Sequence, residues 1–252
     1  MFYEKEDVKV KLSEIESSYE VSLAINDAER KYFVALTSTV VELAAEDVDE
    51  LYVTYEGDAI YYLAEMTEQQ EGEEDPDFVS TGTMYKATLS GKKIKKTDKY
   101  AEDVYYFSVT EEGTVFYVTD YRKSKTNEDG KTTPANYTLF MDNKKVADDV
   151  NGYHYCEETG AVIYATDVNS DSDKQTCTLN YFKGSKSKKI ADDVYVNGVV
   201  LTPKGEVLYL QDYNTEKCKG DMFLYNGSKS KKVDEDVVGI VQVVNWEDRW
   251  GN

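Results

Sequence analysis

An acidic residue followed by Asp and Val occurs six times along this chain, and this recurrence constrains the fold more than any other feature of the sequence. The copies are Glu6-Asp7-Val8, Glu46-Asp47-Val48, Glu102-Asp103-Val104, Asp148-Asp149-Val150, Asp192-Asp193-Val194 and Glu235-Asp236-Val237. Successive valines of the motif are 40, 56, 46, 44 and 43 residues apart. Such a period indicates a protein that stacks copies of one supersecondary unit.

Each repeat contains four short runs bounded by turn residues, and the runs are rich in Val, Tyr and Leu. Runs of this length and composition predict β-strands, and the Gly, Pro and Asn between them predict tight turns. In the fifth repeat the runs are 194–201, 207–210, 222–225 and 231–233, with turns at Pro203-Lys204-Gly205 and Asn226-Gly227. The repeat is therefore predicted to be a four-stranded antiparallel sheet.

The second and fourth runs differ in a way that predicts their places in the sheet. The second run is almost continuously apolar, as in Ile60-Tyr61-Tyr62-Leu63 and Val162-Ile163-Tyr164-Ala165. A strand buried on one face alternates, so these runs predict strands covered on both faces. The fourth run carries lysines, as in Lys188-Lys189 and Lys231-Lys232, which are typical of an outer edge strand that must not pair with another chain.

We therefore predict an all-β fold, a β-propeller of four-stranded antiparallel blades, with five blades. Six blades, or a fragment of a larger propeller, are the alternatives, because a further first strand follows Val237. The chain is expected to form a single domain over 1–252, in which 237–252 supplies an extra strand and a tail with both tryptophans. The predicted blades are residues 8–47, 48–103, 104–149, 150–193 and 194–236.

Charge narrows the range of partners. The formal net charge is -20, from 49 acidic and 29 basic residues. No nucleic acid is expected as a partner, because binding to phosphates requires Lys and Arg, whereas cationic partners and metal ions suit this sign. No direct membrane insertion is expected, because no apolar run approaches the roughly 20 residues that span a bilayer. The location is predicted to be extracytoplasmic or at the cell surface if the chain belongs to a longer anchored protein, and cytoplasmic otherwise.

The recurring aspartates are the first candidate binding residues. In a four-stranded blade the Asp-Val steps and the loops between the second and third strands emerge on one face, which should therefore be acidic. Clustered carboxylates attract cations. The competing interpretation, favoured for the individual residues, is that each Asp accepts backbone N–H bonds in its own turn. The candidates are Asp47, Asp103, Asp149, Asp193 and Asp236.

One loop suggests a metal ion. Asp167-Val168-Asn169-Ser170-Asp171-Ser172-Asp173 places oxygen ligands at alternate positions, as the start of an EF-hand loop does. The pattern then fails, because Ser172 replaces the turn glycine and Thr178 stands where the bidentate Glu belongs. Candidate ligands of a weak Ca²⁺ site are Asp167, Asn169, Asp171 and Asp173. A plain polar loop is the favoured alternative, and no other cofactor is predicted.

Residues for catalysis are few. The one histidine, His154, lies in a predicted first strand, where it is expected to be packed or hydrogen-bonded. Cys156 is two residues away on the same strand face, which leaves a Cys-His pair open. Cys177 and Cys218 fall at similar places in neighbouring repeats. They could form one disulfide or remain two unpaired thiols, and unpaired thiols are the favoured interpretation. We predict that the chain is not an enzyme.

The fifth repeat resembles the TolB-type propeller repeat. The resemblance rests on Thr202-Pro203-Lys204-Gly205-Glu206-Val207-Leu208-Tyr209-Leu210 and on Gly220-Asp221-Met222-Phe223-Leu224-Tyr225, and it weakens in the other four repeats. The frequent Ser-Asp-Arg of that family is replaced by Thr119-Asp120-Tyr121 and Gln211-Asp212-Tyr213. The tyrosine-rich, lysine-edged style is also similar to propeller domains of gut Firmicutes that are displayed outside the cell. The resemblance implies a ligand- or protein-binding scaffold.

The predicted function follows from the acidic face and this resemblance. We expect a non-catalytic scaffold whose acidic loop face binds a protein, a glycan or a cationic ligand. The rival from another class is a carboxylate-dependent glycan hydrolase or lyase that uses the central acidic cluster. The loops 65–82 and 120–136 are the longest and are expected to carry specificity.

Overall fold

The computed structural model describes residues 2–5, 8–11, 22–26, 31–36, 39–43, 48–54, 57–67, 79–90, 93–128, 130–170 and 175–240. Every helix or strand element within these ranges is a β-strand. In the part of the chain that the structure describes, no helix has the length and apolarity needed to cross a membrane.

The chain begins with a hairpin that leads into the first repeat, and a three-stranded sheet follows. The hairpin pairs β1 (Phe2–Lys5) with β2 (Val8–Lys11), and the sheet has the order β3 (Ser22–Asn26), β4 (Lys31–Leu36) and β5 (Thr39–Leu43). All of these neighbours are antiparallel.

The second and third repeats each form a four-stranded sheet. The second contains β6 (Leu51–Val53), β7 (Ala59–Ala64), β8 (Gly82–Ser90) and β9 (Lys93–Val104), in that order. The third contains β10 (Tyr106–Val109), β11 (Val115–Arg122), β14 (Asn136–Met141) and β15 (Lys144–Val150). Between β11 and β14 the chain forms a small two-stranded ribbon, β12 (Lys125–Thr126) and β13 (Thr132–Thr133).

The fourth and fifth repeats share one seven-stranded sheet. Its order is β16 (Gly152–Cys156), β17 (Ala161–Asn169), β18 (Thr176–Lys183), β19 (Lys186–Leu201), β20 (Val207–Asn214), β21 (Lys219–Tyr225) and β22 (Ser230–Val237). The first half of β19 pairs with β18 as the fourth strand of one repeat, and its second half pairs with β20 as the first strand of the next.

The predicted fold class is confirmed. The chain is an all-β protein built from four-stranded antiparallel sheets of the β-propeller blade type, with neighbours in each sheet following chain order. The blade number and the blade boundaries stay predictions. The chain divides into two compact units, one of Met1–Arg122 with Thr138–Lys145 and the other of Lys123–Tyr137 with Val146–Asn252.

The second strand of a repeat is buried on both faces, as its sequence predicted. All six residues of β7 are buried. Ile60 and Tyr62 pack in one apolar cluster with Leu43 and Leu89. Their neighbour Leu63 packs on the opposite face in a second cluster that includes Phe107 of the next repeat. The lysines of the fourth strands, by contrast, are exposed.

Candidate functional site

The four recurring aspartates that the structure describes occupy a strained backbone position. Asp103, Asp149, Asp193 and Asp236 have φ between 52° and 56°, a left-handed conformation that Asp tolerates better than most residues. The register explains why: Gly82 pairs with Val104 and Met84 with Ala101, so two residues of β9 oppose one of β8. This is a β-bulge with the aspartate inside it, and the same count holds before Val194 and Val237. The recurrence of Asp therefore follows from the backbone that each of these repeats requires.

The acidic steps also carry their own counterions. In three repeats the residue before the aspartate pairs with the lysine three positions earlier, as Lys99 with Glu102 at 2.6 Å and Lys189 with Asp192 at 2.7 Å. Lys232 pairs likewise with Glu235 at 2.7 Å, and Asp236 lies 3.2 Å from Lys219. The hydrogen bond from Lys189 holds the pKa of Asp192 below its usual value. These exposed pairs add little stability, but they neutralise part of the charge on which cation binding would depend.

The left-handed backbone makes a specific prediction for Asp103. Asp103→Ala should lower the free energy of unfolding by about 1 kcal/mol, because alanine pays the left-handed cost. Asp103→Gly should preserve stability or raise it, although it removes the same carboxylate. Urea unfolding of both variants measures the difference. Asp98, on the same strand but outside the set of positive-φ residues, is the control: there glycine should be the worse substitution. If the alanine and glycine variants ranked in the same order of stability at Asp103 and at Asp98, the backbone explanation would be refuted.

The predicted calcium loop is only partly described. Asp167 has a φ of 52° and lies in another bulge, where Asp167 and Val168 together oppose Cys177. Asn169 pairs with Thr176 within the sheet. Asp171 and Asp173 lie outside the described residues, as does Asp47. Across the described ranges no three His, Cys, Asp or Glu side chains are grouped so as to hold a metal ion, and the weak Ca²⁺ site stays a prediction.

The histidine and the cysteines do not form the pairs considered from the sequence. His154 is exposed on β16, which corrects the expectation of a packed histidine. The Cys156 sulfur accepts a hydrogen bond from Thr159 Oγ1 at 3.0 Å and lies 3.3 Å from Glu158 Oε2. Cys177 and Cys218 are free thiols, the first buried and the second exposed. Burial raises the pKa of the Cys177 thiol to about 11, so it is protonated and unreactive at neutral pH.

A pair of stacked tyrosines, which was not predicted from the sequence, occurs at the same position in two repeats. In the third repeat the rings of Tyr105 and Tyr121 lie 4.0 Å apart with an interplanar angle of 16°. In the fifth repeat the rings of Tyr195 and Tyr213 lie 3.9 Å apart at 5°. We call these the tyrosine pairs. The signal was present as a Tyr directly after two Asp-Val steps and directly after Asp120 and Asp212.

Bulges position the tyrosine pairs. One ring of each pair follows the Asp-Val step, and the other follows a second left-handed aspartate, Asp120 or Asp212, at φ 51°. In the fifth repeat Asp212 and Tyr213 together oppose Gly220. Desolvation, reinforced by the partner ring, raises the pKa of Tyr121 and of Tyr213. The Tyr121 and Tyr213 hydroxyl groups therefore stay protonated at neutral pH, and each pair presents aromatic faces.

Exposed apolar side chains gather at the same position. Among the described residues, the large apolar side chains classed as exposed are Tyr105, Tyr106, Val196, Val233 and Val238. Three of these follow an Asp-Val step within two residues in the third or fifth repeat, and Val238 follows the step of the next repeat. Its carbonyl accepts a hydrogen bond of 3.2 Å from the Tyr213 hydroxyl. Each of the two units thus has an apolar, partly aromatic surface at the start of a first strand.

Comparison with known proteins finds only solved structures of low similarity. No protein-family model matches the chain, and no curated protein matches it. Solved structures that it resembles include the Pyrococcus horikoshii acylaminoacyl peptidase, at 11% identity and a TM-score of 0.39, over 84% of this chain and 36% of that one. The β-propeller domain of the Trilobed protease from Pyrococcus furiosus is similar at 10% identity and a TM-score of 0.41, over 84% of this chain and 67% of that one. Porphyromonas gingivalis dipeptidyl peptidase 4 is similar at 11% identity and a TM-score of 0.45, over 87% of this chain and 40% of that one.

The function predicted from the sequence is corrected at this point. It assigned a non-catalytic scaffold with an acidic binding face or, as the rival, a carboxylate-dependent glycan hydrolase or lyase. The three solved structures named above are two peptidases and the β-propeller domain of a protease, a class that the prediction did not contain. The acidic binding face was inferred from the recurrence of aspartate. The structure gives a different physical reason for this recurrence, because the described aspartates occupy a left-handed position in a β-bulge. The chain spans 36% of the first peptidase it resembles, and at these identities the likeness concerns the fold alone.

Proposed function

We propose that the protein binds extended polypeptide segments, and that the tyrosine pairs are the contact surface. The observation that carries the proposal is a stacked aromatic pair at one position in two repeats, in which Tyr105 is exposed and Tyr121, Tyr195 and Tyr213 are half-buried. Apolar surface that remains accessible in a contiguous patch often marks an interaction site. Tyrosine supplies a large contact area with little loss of side-chain freedom, which is why it is common in binding surfaces.

The surroundings of each pair favour a polypeptide over other ligands. Flat aromatic faces next to hydroxyl groups suit apolar side chains, proline rings and backbone carbonyls. The formal net charge of -20 excludes phosphate-rich ligands and favours a segment with basic residues. Aromatic contact supplies affinity in this proposal, and charge contributes mainly to the rate of association.

Binding should depend on the rings and not on the neighbouring carboxylates. Short synthetic peptides that differ in proline, basic and aromatic content are immobilised, and the full chain is applied at about 0.3 M salt to screen long-range charge. The Tyr105→Ala/Tyr195→Ala variant should bind at least about tenfold more weakly, because aromatic anchors typically contribute more than 1 kcal/mol each. Its melting temperature should fall only modestly, because Tyr105 is exposed and Tyr195 is half-buried.

The matched control removes charge instead of rings. Asp103→Asn/Asp193→Asn retains side chains that tolerate the left-handed backbone and should bind as the wild type does at this salt concentration. Loss of binding in the asparagine variant with retention in the alanine variant would refute the proposal. So would the failure of every immobilised peptide to bind.

The finer assignments made from the resemblance are part of this proposal. We assign the chain to the TolB-type propeller repeats on the basis of its Pro203-Lys204-Gly205 turn and the third-strand pattern that begins at Gly220. We place it outside the cytoplasm if it belongs to a longer anchored protein, in line with the Firmicutes domains that its sequence resembles, and we expect no catalytic activity and no required cofactor.

A further inference from the structure

The fourth repeat lacks a tyrosine pair. Its equivalent residues are Asn151, directly after the Asp149-Val150 step, and Val168, directly after Asp167. The backbone is built in the same way, because Asp149 and Asp167 both have a φ of 52°. Val168 N donates a hydrogen bond of 3.4 Å to Asn151 Oδ1. The fourth repeat thus has the same backbone conformation at this position as the third and fifth repeats, but different side chains.

A segment of the chain itself covers this position. Residues 132–135, Thr-Thr-Pro-Ala, run along β13 and on towards β14. Asn151 Nδ2 donates a hydrogen bond of 2.7 Å to the Ala135 carbonyl. Ser170 Oγ, just beyond the end of β17, donates one of 3.1 Å to the Thr132 carbonyl. Blade residues therefore hold both ends of the segment by its backbone oxygens.

The covering segment has the chemistry of a ligand. It contains Pro134, which lacks an N–H and fixes its own φ, and it requires an extended conformation at Thr133. Such a segment loses little conformational entropy on docking, and the same property underlies the recognition of proline-rich peptides by aromatic grooves. The Pro134 and Ala135 side chains are half-buried.

We infer that residues 132–135 are an internal ligand of the fourth repeat, and that the tyrosine pairs of the third and fifth repeats bind external segments of the same class, extended and proline-containing. This inference rests on the proposed function and names its ligand. In the fourth repeat the Asn151 amide holds a backbone carbonyl. In the other two repeats, the tyrosine rings provide a face for proline, and in the fifth repeat the Tyr213 hydroxyl already donates to a backbone carbonyl, that of Val238.

The test uses the segment itself as the probe. The peptide Gly-Lys-Thr-Thr-Pro-Ala-Asn, the sequence of residues 130–136, is titrated into the full chain with isotope-labelled tyrosine rings and followed by NMR. We expect saturable shifts of the four ring signals of the tyrosine pairs at about millimolar peptide, a range that suits a short segment with few contacts. A scrambled peptide with proline next to the first glycine should bind at least fivefold more weakly. Tyr105→Ala/Tyr195→Ala should weaken the binding of the first peptide at least tenfold.

The outcomes separate this inference from the proposed function. If immobilised peptides bind through the tyrosine pairs while the 130–136 peptide leaves their signals unchanged, the internal-ligand inference is wrong and the proposed function stands. Equal binding of the scrambled peptide also overturns the inference. If no peptide of any kind perturbs the tyrosine pairs, both fall.

Discussion

Truncation of either Ile60 or Leu63 to alanine is expected to lower the free energy of unfolding by about 3 kcal/mol, within the usual range for buried aliphatic residues. The two side chains leave β7 on opposite faces, yet they are only 0% and 1% exposed. Ile60 packs with Leu43 and Leu89, and Leu63 packs with Val104 and Phe107. A sheet covered on one side would respond strongly to one substitution only. Equal, large effects are the energetic signature of stacked blades.

Urea unfolding measures both losses, with Val233→Ala as the control. Val233 is 51% exposed, so its truncation should change stability by less than about 0.5 kcal/mol. A loss below about 1 kcal/mol for either Ile60→Ala or Leu63→Ala would contradict the double burial of β7. The double variant should lose nearly the sum, because the two side chains pack in different clusters.

Gly220→Ala is expected to lower the free energy of unfolding by about 2 kcal/mol, because a side chain there meets backbone atoms. A Cβ would lie 2.7 Å from the Gln211 carbonyl oxygen and 3.0 Å from Tyr213 Cα. Both atoms belong to the bulge that holds the Tyr195–Tyr213 pair, so relief requires that bulge to shift. Thermal and urea unfolding measure the stability, and tyrosine fluorescence reports on the pair.

The matched control for Gly220 is Gly152→Ala. Gly152 also lies in a strand, and an added Cβ would meet nothing within 4 Å. Alanine at that position should be neutral or raise stability by about 0.5 kcal/mol, because it restricts the unfolded chain. In the fourth repeat Cys177 takes the place of Gly220, since it pairs with Val194 as Gly220 pairs with Val237. In the second repeat Gly82 takes this place, and a Cβ there would lie 2.9 Å from the Ala64 carbonyl oxygen, so the same crowding recurs. Equal effects of alanine at Gly220 and Gly152 would show that the bulge yields freely.

Much of the fold was predictable from the sequence because strands and their burial leave periodic signals. The continuous apolar run of Ile60-Tyr61-Tyr62-Leu63 predicted burial on two faces, and β7 has it. The lysines before Val233 predicted an edge, and β22 is the last strand of its sheet. These signals depend on single residue types in short runs, which a sequence displays directly.

The candidate site was less accessible to sequence reasoning because it depends on backbone conformation. An aspartate in every repeat suggested a ring of ligands, whereas the positive φ of Asp103 and Asp193 explains the recurrence without one. The tyrosine pairs form between residues 16 or 18 positions apart, and only the two bulges bring those rings face to face. The contact between Asn151 and Ala135 joins parts of different repeats, and no local pattern indicates it.

The shared strand β19 has a consequence for how chains of this kind change in length. The sequence repeat begins at the bulged aspartate, which lies in the middle of β19. One copy of the repeat therefore starts with the second half of one long strand and ends with the first half of the next. If a gene gained or lost a whole unit at that point, the halves on either side would still join into a complete strand. Recombination would then create no broken hydrogen-bond ladder inside the array, and new members could arise without a poorly folded intermediate.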